Sequence, residues 1–321
     1  MLSPWQPGKT AGLLVAACFA LLGAAAAQAA PIKLEWKFVE GQKTKYRIVQ
    51  DMVINMDVAG QSVRMTMTQT MDLTWAVASV DEQGTADMTQ TIDRLQMKLR
   101  GAPGADVSYD SDSDRKPEGM AALLSPMFEA IVKQPVKLKM SAAGKVSDVE
   151  LPKEMSEKLK NTPGMGPLSN MFSEGNLKQM MGAGTLQFSP EAVDEGDEWQ
   201  SQAEAVDASV GKQQTESTYV YQGLEDRQGR RLAKIGIKLN VKLAEDPDAK
   251  AQVSIEDQSS DGVAYFDPKA SQIVDLKLSS KMKTSIDVMG QKLAQTVTNT
   301  TTMRPVSGAE DAGAIGDKQP E

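Results

Sequence analysis

Three aspartates alternate along the stretch YDSDSD, at Asp110, Asp112 and Asp114. Alternating carboxylates are typical of the first half of a calcium-binding EF-hand loop. That loop also needs a glycine and a glutamate further on, where this chain has Arg115 and Ala121. We therefore interpret the stretch as a solvated acidic loop before a helix, and the three aspartates stay a weak calcium candidate.

Methionine is unusually common, with 19 in the chain. Soft thioethers bind Cu(I), and Met65 and Met67 have the close spacing such a site would use. However, the methionines of the β segments fall at alternate, apolar positions, which is typical of core filling or of a surface that adapts to apolar ligands. We predict that the protein has no cofactor and no metal site beyond the weak calcium candidate.

The residue types that most enzymes use are missing. The chain has no histidine and a single cysteine, Cys18. The usual general base, thiol nucleophile and zinc ligands are therefore absent, and no phosphate-binding or nucleophile-elbow motif replaces them. We predict that the protein is not an enzyme. Its formal charge of −8 also disfavours a nucleic-acid partner.

Four polar side chains occupy positions where an apolar residue is expected. They are Gln50, Gln69, Ser280 and Asn299. Hydrogen bonding between them inside a core is one interpretation, since buried polar groups are normally paired. The other is a polar stripe in a ligand-binding site, flanked by Met52 and Met67.

Two similar hairpins would position these residues. The stretch DVAGQSVRMTMTQT (57–70) is repeated as DVMGQKLAQTVTNT (287–300). In each copy the apolar residues alternate, and their parity changes at a central glycine, which predicts a strand, a turn and a second strand. The predicted cross-strand pairs place Met52 opposite Met67 and Gln50 opposite Gln69 in the first copy. In the second they place Met282 opposite Val297 and Ser280 opposite Asn299.

Further strands are predicted near 86–99, with a bulge at Asp93–Arg94, and in a short hairpin over 135–151. Others are predicted near 199–206, 215–222, 233–243, 251–256 and 263–266. Helices are predicted over 117–133, where Pro126 should kink or split the helix, over 152–160 and over 168–181. The fold class is mainly β (α+β). We expect long twisted antiparallel sheets or a half-open barrel, built from two related halves (30–185 and 186–304), with a few helices covering one face.

The N-terminal stretch AGLLVAACFALLGAAAA (11–27) is typical of a signal peptide. We predict cleavage after Ala29, so that residues 1–29 are removed and the protein is exported to a periplasm or out of the cell. The mature chain is then not transmembrane. Lipoprotein processing at Cys18 is the alternative, disfavoured because the apolar run continues beyond that cysteine. The tail from 305 to 321 lacks periodicity and is predicted to be disordered.

The segments LEWKFVEGQKTKY (34–46), YDS (109–111) and VDEGDEW (193–199) resemble those of an uncharacterised family of secreted bacterial β-rich proteins. That resemblance implies no known activity. The long hairpins with helices in mid-chain also look like the half-open barrels of periplasmic lipoprotein and lipid carriers, a likeness of architecture that transfers no site.

Two functions fit these observations. The first is an exported, non-enzymatic protein that binds or carries a lipid or another apolar or amphiphilic small molecule. Its ligand-binding residues would be Gln50, Gln69, Ser280, Asn299, Met52 and Met67. The alternative is a periplasmic or extracellular structural or protein-interaction module without a small ligand. A Met-rich face left uncovered would favour the first, and one filled by helices the second.

Overall fold

The computed structural model describes residues 30–58, 61–101, 106–161, 185–207, 211–244, 252–288 and 291–306. The predicted signal peptide, the predicted helix at 168–181 and the chain beyond 306 lie outside these residues. The described residues from Pro31 onward belong to one compact unit.

Twelve strands and two helices make up the described chain, which is mainly β as predicted. The first half of the chain holds β1 (Lys43–Val58), β2 (Gln61–Val80), β3 (Ala86–Arg100), β4 (Val107–Asp110), α1 (Met120–Ile131), β5 (Val136–Met140), β6 (Val146–Glu150) and α2 (Lys153–Asn161). The second half holds β7 (Glu198–Asp207), β8 (Gly211–Arg227), β9 (Arg230–Leu243), β10 (Gln252–Asp267), β11 (Gln272–Val288) and β12 (Gln291–Pro305).

All twelve strands belong to one open antiparallel sheet. Its order is β6-β5-β3-β2-β1-β12-β11-β10-β9-β8-β7, and β4 pairs with β3 beside this path. The two halves of the chain join where β1 pairs with β12. The sheet ends at β6 and β7 and is therefore open, which fits both a long twisted sheet and a half-open barrel.

Both predicted hairpin registers are confirmed. Met52 faces Met67 and Gln50 faces Gln69 in the first hairpin. Ser280 faces Asn299 in the second. Because β1 and β12 are neighbours, the order β2-β1-β12-β11 places the second hairpin beside the first, displaced by two strands and by two residues along them, since Gln69 lines up through Gln50 with Thr301. The repeated sequence therefore builds two equivalent hairpins side by side in one surface.

Two further strand predictions have opposite outcomes. The bulge near Asp93 is confirmed, since the register passes from Asp72 opposite Arg94 to Leu73 opposite Ile92. The strands predicted at 251–256 and 263–266 are both present, but the break between them is wrong, because β10 runs unbroken through both. The polar stretch DQSSDG between them resembles a turn, yet it keeps pairing with β11 along its length.

Of the two outcomes predicted for Pro126, a kink or a split of the first helix, the split does not occur. A proline cannot donate a hydrogen bond to the carbonyl four residues earlier, which here belongs to Ala122. The Ser125 hydroxyl donates to that carbonyl instead, at 3.2 Å. α1 therefore runs through Pro126, and its Phe128 packs on Tyr109 of β4 with ring centroids 4.6 Å apart.

Aromatic side chains from strands and connecting segments form the centre of the core. Trp36 lies before β1 and contacts Trp75 of β2, Phe266 of β10 and Phe188, which precedes β7. Its indole N–H donates to the carbonyl of Leu186 at 3.0 Å. The segments around Trp36 and Phe188 also pair through Ile32 and Val193. They cover the end of the sheet at which β1 begins.

Gly144, in the turn between β5 and β6, is required by this close packing. Its φ is +84°, and a Cβ there would lie 2.3 Å from the carbonyl oxygen of Leu186 and 2.9 Å from the indole nitrogen of Trp36. Any other residue would therefore push the turn away from the core.

Candidate functional site

One side of the four central strands, β2, β1, β12 and β11, has a covered end and an uncovered end. Tyr46, Leu73 and Met303, at the end near the aromatic core, are each less than 5% exposed. Beyond them the apolar residues of the same side are only half-buried. We call this uncovered part the distal face and define it by Met52, Ile54, Met65, Met67, Met282 and Val297.

The half-buried state of the distal face follows from its position in the sheet. Each side chain is shielded laterally by its cross-strand neighbours, such as Ile54 by Met65 and Val297. A packed layer of side chains above the distal face would bury these residues fully, as the aromatic core buries Tyr46. Of the predicted covering of one face by helices, the described residues show only the packing of α1 against β4 and α2.

A line of polar residues crosses the sheet at the boundary between the two ends. Gln69 faces Gln50, Gln50 faces Thr301, Asn299 faces Ser280, and Ser280 faces Ser260. We call this line the polar stripe, and it consists of Gln69, Gln50, Thr301, Asn299, Ser280 and Ser260.

The sequence predicted four members of the polar stripe and missed two. Thr301 follows Asn299 on the same side of β12, and the register opposite Gln50 brings it into the line. Ser260 lies in the stretch of β10 that was not predicted to be a strand. The alternation of β12 could have identified Thr301, whereas only the pairing of β10 with β11 reveals Ser260.

The amides of the stripe are not paired with one another in the described part of the chain. Gln50 and Gln69 face each other without a side-chain hydrogen bond between them. Asn299 donates from Nδ2 to the Thr301 hydroxyl at 3.4 Å. Its Oδ1 is shut off from solvent and has no partner. The stripe therefore retains hydrogen-bonding capacity that the described residues do not use.

Charge is confined to the opposite side of these strands. In the register of the four strands, alternate residues over 46–56, 63–73, 276–286 and 293–303 face the distal side, and none is Asp, Glu, Lys or Arg. The intervening positions face the other way and include Asp51, Arg64, Lys281 and Lys283. On the described residues of these four strands, the side that carries the distal face is therefore uncharged.

At its β10 end the stripe meets a seam in the sheet. Backbone pairing between β9 and β10 stops at Gly262, opposite Ile237. Beyond it, Ser260 Oγ accepts from the Leu239 N–H at 2.6 Å, and the Gln258 amide exchanges two bonds of 2.8 Å with the backbone of Val241. Along this seam the side chains of β10, and not its main chain, therefore make the hydrogen bonds to β9.

We expect the change Ser260→Ala to loosen the seam at one position. The amide of Leu239 loses its acceptor, so its hydrogen exchange should accelerate about tenfold, while Val241, held by Gln258, should change little. Residue-resolved exchange measures both. Ser259→Ala, one residue away and exposed, is the control, and equal acceleration in both variants would contradict the assignment.

The acidic loop is held by an ion pair. Arg94 donates to both carboxylate oxygens of Asp110, at 3.1 and 2.7 Å, and it also lies 3.7 Å from Asp112. Gln96 donates a further bond to Asp110 at 2.9 Å. Within the described residues no group of three or more acidic or other ligating side chains could hold a metal ion. Asp110 and Asp112 therefore pair with Arg94 of β3, and the three aspartates do not converge on a cation.

The hydrogen bonds to Asp110 predict that the stability of the fold depends on pH. The hydrogen bonds from Arg94 lower the pKa of Asp110 to about 2, below the value of about 3.9 in an unfolded chain. The ionised carboxylate thus stabilises the fold above about pH 4, and this contribution is lost as the pH falls toward about 2. We expect Asp110→Asn to cost about 1–2 kcal/mol at neutral pH, because the pair is partly exposed, and only about a few tenths of a kcal/mol at pH 2, where half of the carboxylate is protonated. Urea unfolding at both pH values measures this, and Asp114→Asn, at an exposed site, should show no such dependence.

A surface groove of about 240 Å³ lies away from the distal face. Its lining includes Asp87, Lys137, Lys139, Asp148 and Glu150. Lys139 and Asp87 form an ion pair of 3.8 Å there. Both signs of charge line this groove, so it suits an apolar chain less well than the distal face does.

The comparisons with known proteins give a family without an assigned function. The profile of a family of unknown function, DUF6263, matches residues 83–304. No curated protein matches the chain. In the described residues, no helix is long and apolar enough to cross a membrane.

Similar solved structures are distant. Lipovitellin, described for its lipid–protein interactions, is 11% identical with a TM-score of 0.44 over 84% of this chain, which spans 25% of the lipovitellin chain. The hypothetical lipoprotein YmcC from Escherichia coli is 9% identical, with a TM-score of 0.19 over 78% of this chain and 85% of its own. A putative outer membrane lipoprotein-sorting protein domain from Vibrio parahaemolyticus is 9% identical, with a TM-score of 0.15 over 84% of this chain and 88% of its own.

Proposed function

We propose that this chain, which belongs to the DUF6263 family of unknown function, is an exported, non-enzymatic protein that binds an apolar or amphiphilic small molecule on the distal face. One observation carries the proposal. In the described part of the central strands, the side that bears Met52, Ile54, Met65 and Met67 has no charged residue, and beyond the aromatic core its apolar residues are only half-buried.

The polar stripe supports an amphiphile over a purely apolar ligand. Hydrogen-bonding groups within an apolar surface are costly to bury unless they find partners. The amides of Gln50 and Gln69 face one another at the edge of the distal face without a mutual hydrogen bond. A ligand whose polar end lies over them and whose tail covers the distal face would satisfy both surfaces.

The methionines suit this use. A thioether side chain is unbranched and flexible, so it adapts its shape to the ligand it covers. Burying acyl methylenes gains up to about 0.8 kcal/mol each, so a tail of moderate length provides micromolar affinity even when only one side of it contacts protein. Export rests on the N-terminal segment with its predicted cleavage after Ala29.

Native mass spectrometry of the protein purified from its own host tests the proposal. We expect a co-purifying apolar mass, and we expect less of it in a variant with Gln50→Leu and Gln69→Leu. A variant with Thr70→Leu, which adds an apolar residue to the opposite side of β2, is the control and should keep the ligand. Bare wild-type protein, together with equal or higher stability of the double variant, would instead favour a structural or protein-interaction module.

A further inference from the structure

We propose that the polar group of this ligand is uncharged and donates a hydrogen bond, and that Oδ1 of Asn299 accepts it. The inference rests on the proposed function and adds to it the chemical class of the ligand. It assigns the distal face to amphiphiles that carry a hydroxyl or an amide N–H, such as fatty alcohols and acylglycerols.

The first observation is the unpaired acceptor. Oδ1 of Asn299 has no hydrogen-bond partner and no contact with solvent. Nδ2 of the same amide donates to the Thr301 hydroxyl at 3.4 Å, which leaves the oxygen as the end without a partner. A buried acceptor without a partner is unfavourable. The group that relieves it must be a donor.

The second observation is the absence of charge among the described residues of the four central strands that face this side. A carboxylate or phosphate at the stripe would lose its hydration with no cation facing it, because Lys281 and Lys283 project from the opposite side of β11. An ammonium group would likewise lack a facing carboxylate. Unpaired buried charges are far more costly than hydrogen-bonded neutral groups. The site therefore selects against charged head groups at Asn299.

The third observation is the position of Asn299 between the covered core and the distal face. On one side Thr301 and then Met303 lead toward the aromatic core, where Met303 is buried. On the other side Val297, Gln295 and Leu293 lead toward the hairpin end of β12 at Gln291. The strand rises about 26 Å between Asn299 and Gln291, which is enough for an extended acyl chain. Met52, directly opposite Asn299, has the flexibility to move aside and admit the head group.

The experiment uses the full-length exported protein and four probes with the same hydrocarbon chain. They are 1-dodecanol, dodecanoate, dodecylammonium and dodecane, each competing against a fluorophore that brightens in apolar surroundings. We expect 1-dodecanol to bind about tenfold more tightly than dodecanoate and dodecylammonium. Dodecane should bind at an intermediate level, because it has a tail and no head group.

Two substitutions at Asn299 test the acceptor itself. Asn299→Leu should weaken 1-dodecanol about fivefold to tenfold and leave dodecane unchanged or tighter. Asn299→Asp has nearly the same shape and adds a negative charge, so it should raise the affinity for dodecylammonium above that for dodecanoate. Thr298→Leu, on the neighbouring residue that faces the other way, should leave the order of the four probes unchanged. Thermal unfolding of each variant identifies any loss that comes from misfolding.

The outcomes separate the two proposals. If none of the four probes displaces the fluorophore, the proposed function fails. If all four bind alike, and neither Asn299 substitution changes their order in a folded protein, the distal face binds apolar chains but the assignment of Asn299 and of a neutral donor is wrong. Two results together support both the proposed function and the assignment of Asn299. In the wild type 1-dodecanol binds most tightly, and in Asn299→Asp dodecylammonium binds more tightly than dodecanoate.

Discussion

Replacing Trp36 with alanine should lower the free energy of unfolding by about 4 kcal/mol, as is usual for removing a large buried aromatic side chain. Trp36 is 3% exposed. Its ring packs within 6.1 Å, between centroids, of Phe38, Trp75, Phe188 and Phe266. The change removes these contacts together, and it also leaves the carbonyl of Leu186 without its indole donor.

The effect should be large because Trp36 joins parts of the chain that are distant in sequence. Phe188 lies in a connecting segment, Trp75 in the first half of the sheet and Phe266 in the second. A cavity at Trp36 therefore weakens the attachment of both segments that cover the sheet. The surrounding residues cannot move far into the cavity left by Trp36, because the turn at Gly144 already lies against Leu186.

Chemical denaturation of matched variants measures this. Trp36→Phe keeps an aromatic ring and loses the indole N–H, so it should cost less, about 1–2 kcal/mol. Val39→Ala, in the same segment but 64% exposed, should cost less than about 0.5 kcal/mol. A cost for Trp36→Ala no greater than that for Val39→Ala would show that the segment does not hold the core together.

The hairpin registers were predictable because alternation and parity are local properties. Met52 and Ile54 define the apolar side of β1. Met65 and Met67 must lie on the same side of β2, which fixes the register of the two strands to within two residues, the period of a sheet. The position of one hairpin beside the other was not predictable in this way. It depends on the pairing of β1 with β12, which joins residues near the two ends of the chain.

The misses have identifiable physical causes. The helix at Pro126 continues because the Ser125 side chain supplies a bond that propensity rules do not count. β10 continues through a turn-like sequence because its pairing with β11 outweighs local preference. At the candidate site, the sequence placed Gln50 opposite Gln69, but whether two facing amides bond to each other depends on their rotamers, which alternation does not specify.

Placing one lysine on the distal face should abolish ligand binding, whereas the same lysine on the adjacent residue should not. Ile54 faces the distal side, between Met65 and Val297. Val53 faces the opposite side, between Thr66 and Thr298. Both are half-buried, β-branched residues of β1, so Ile54→Lys and Val53→Lys change charge, size and strand propensity by nearly the same amounts.

The expected difference comes from desolvation. A tail lying over Ile54→Lys would cover an ammonium group that has no facing carboxylate among the residues of that side, so we expect the affinity for 1-dodecanol to fall by about a hundredfold or more. In the free protein the lysine stem can extend to water, so stability should fall by only about 1 kcal/mol in either variant. In Val53→Lys the charge stays in water with or without a ligand, near Asp51 on the same side, and the affinity should stay within about twofold of the wild type.

Fluorophore displacement measures both affinities and thermal unfolding both stabilities. Equal losses of affinity in the two folded variants would mean that the ligand does not lie on the distal face, because only the side to which the charge points distinguishes them.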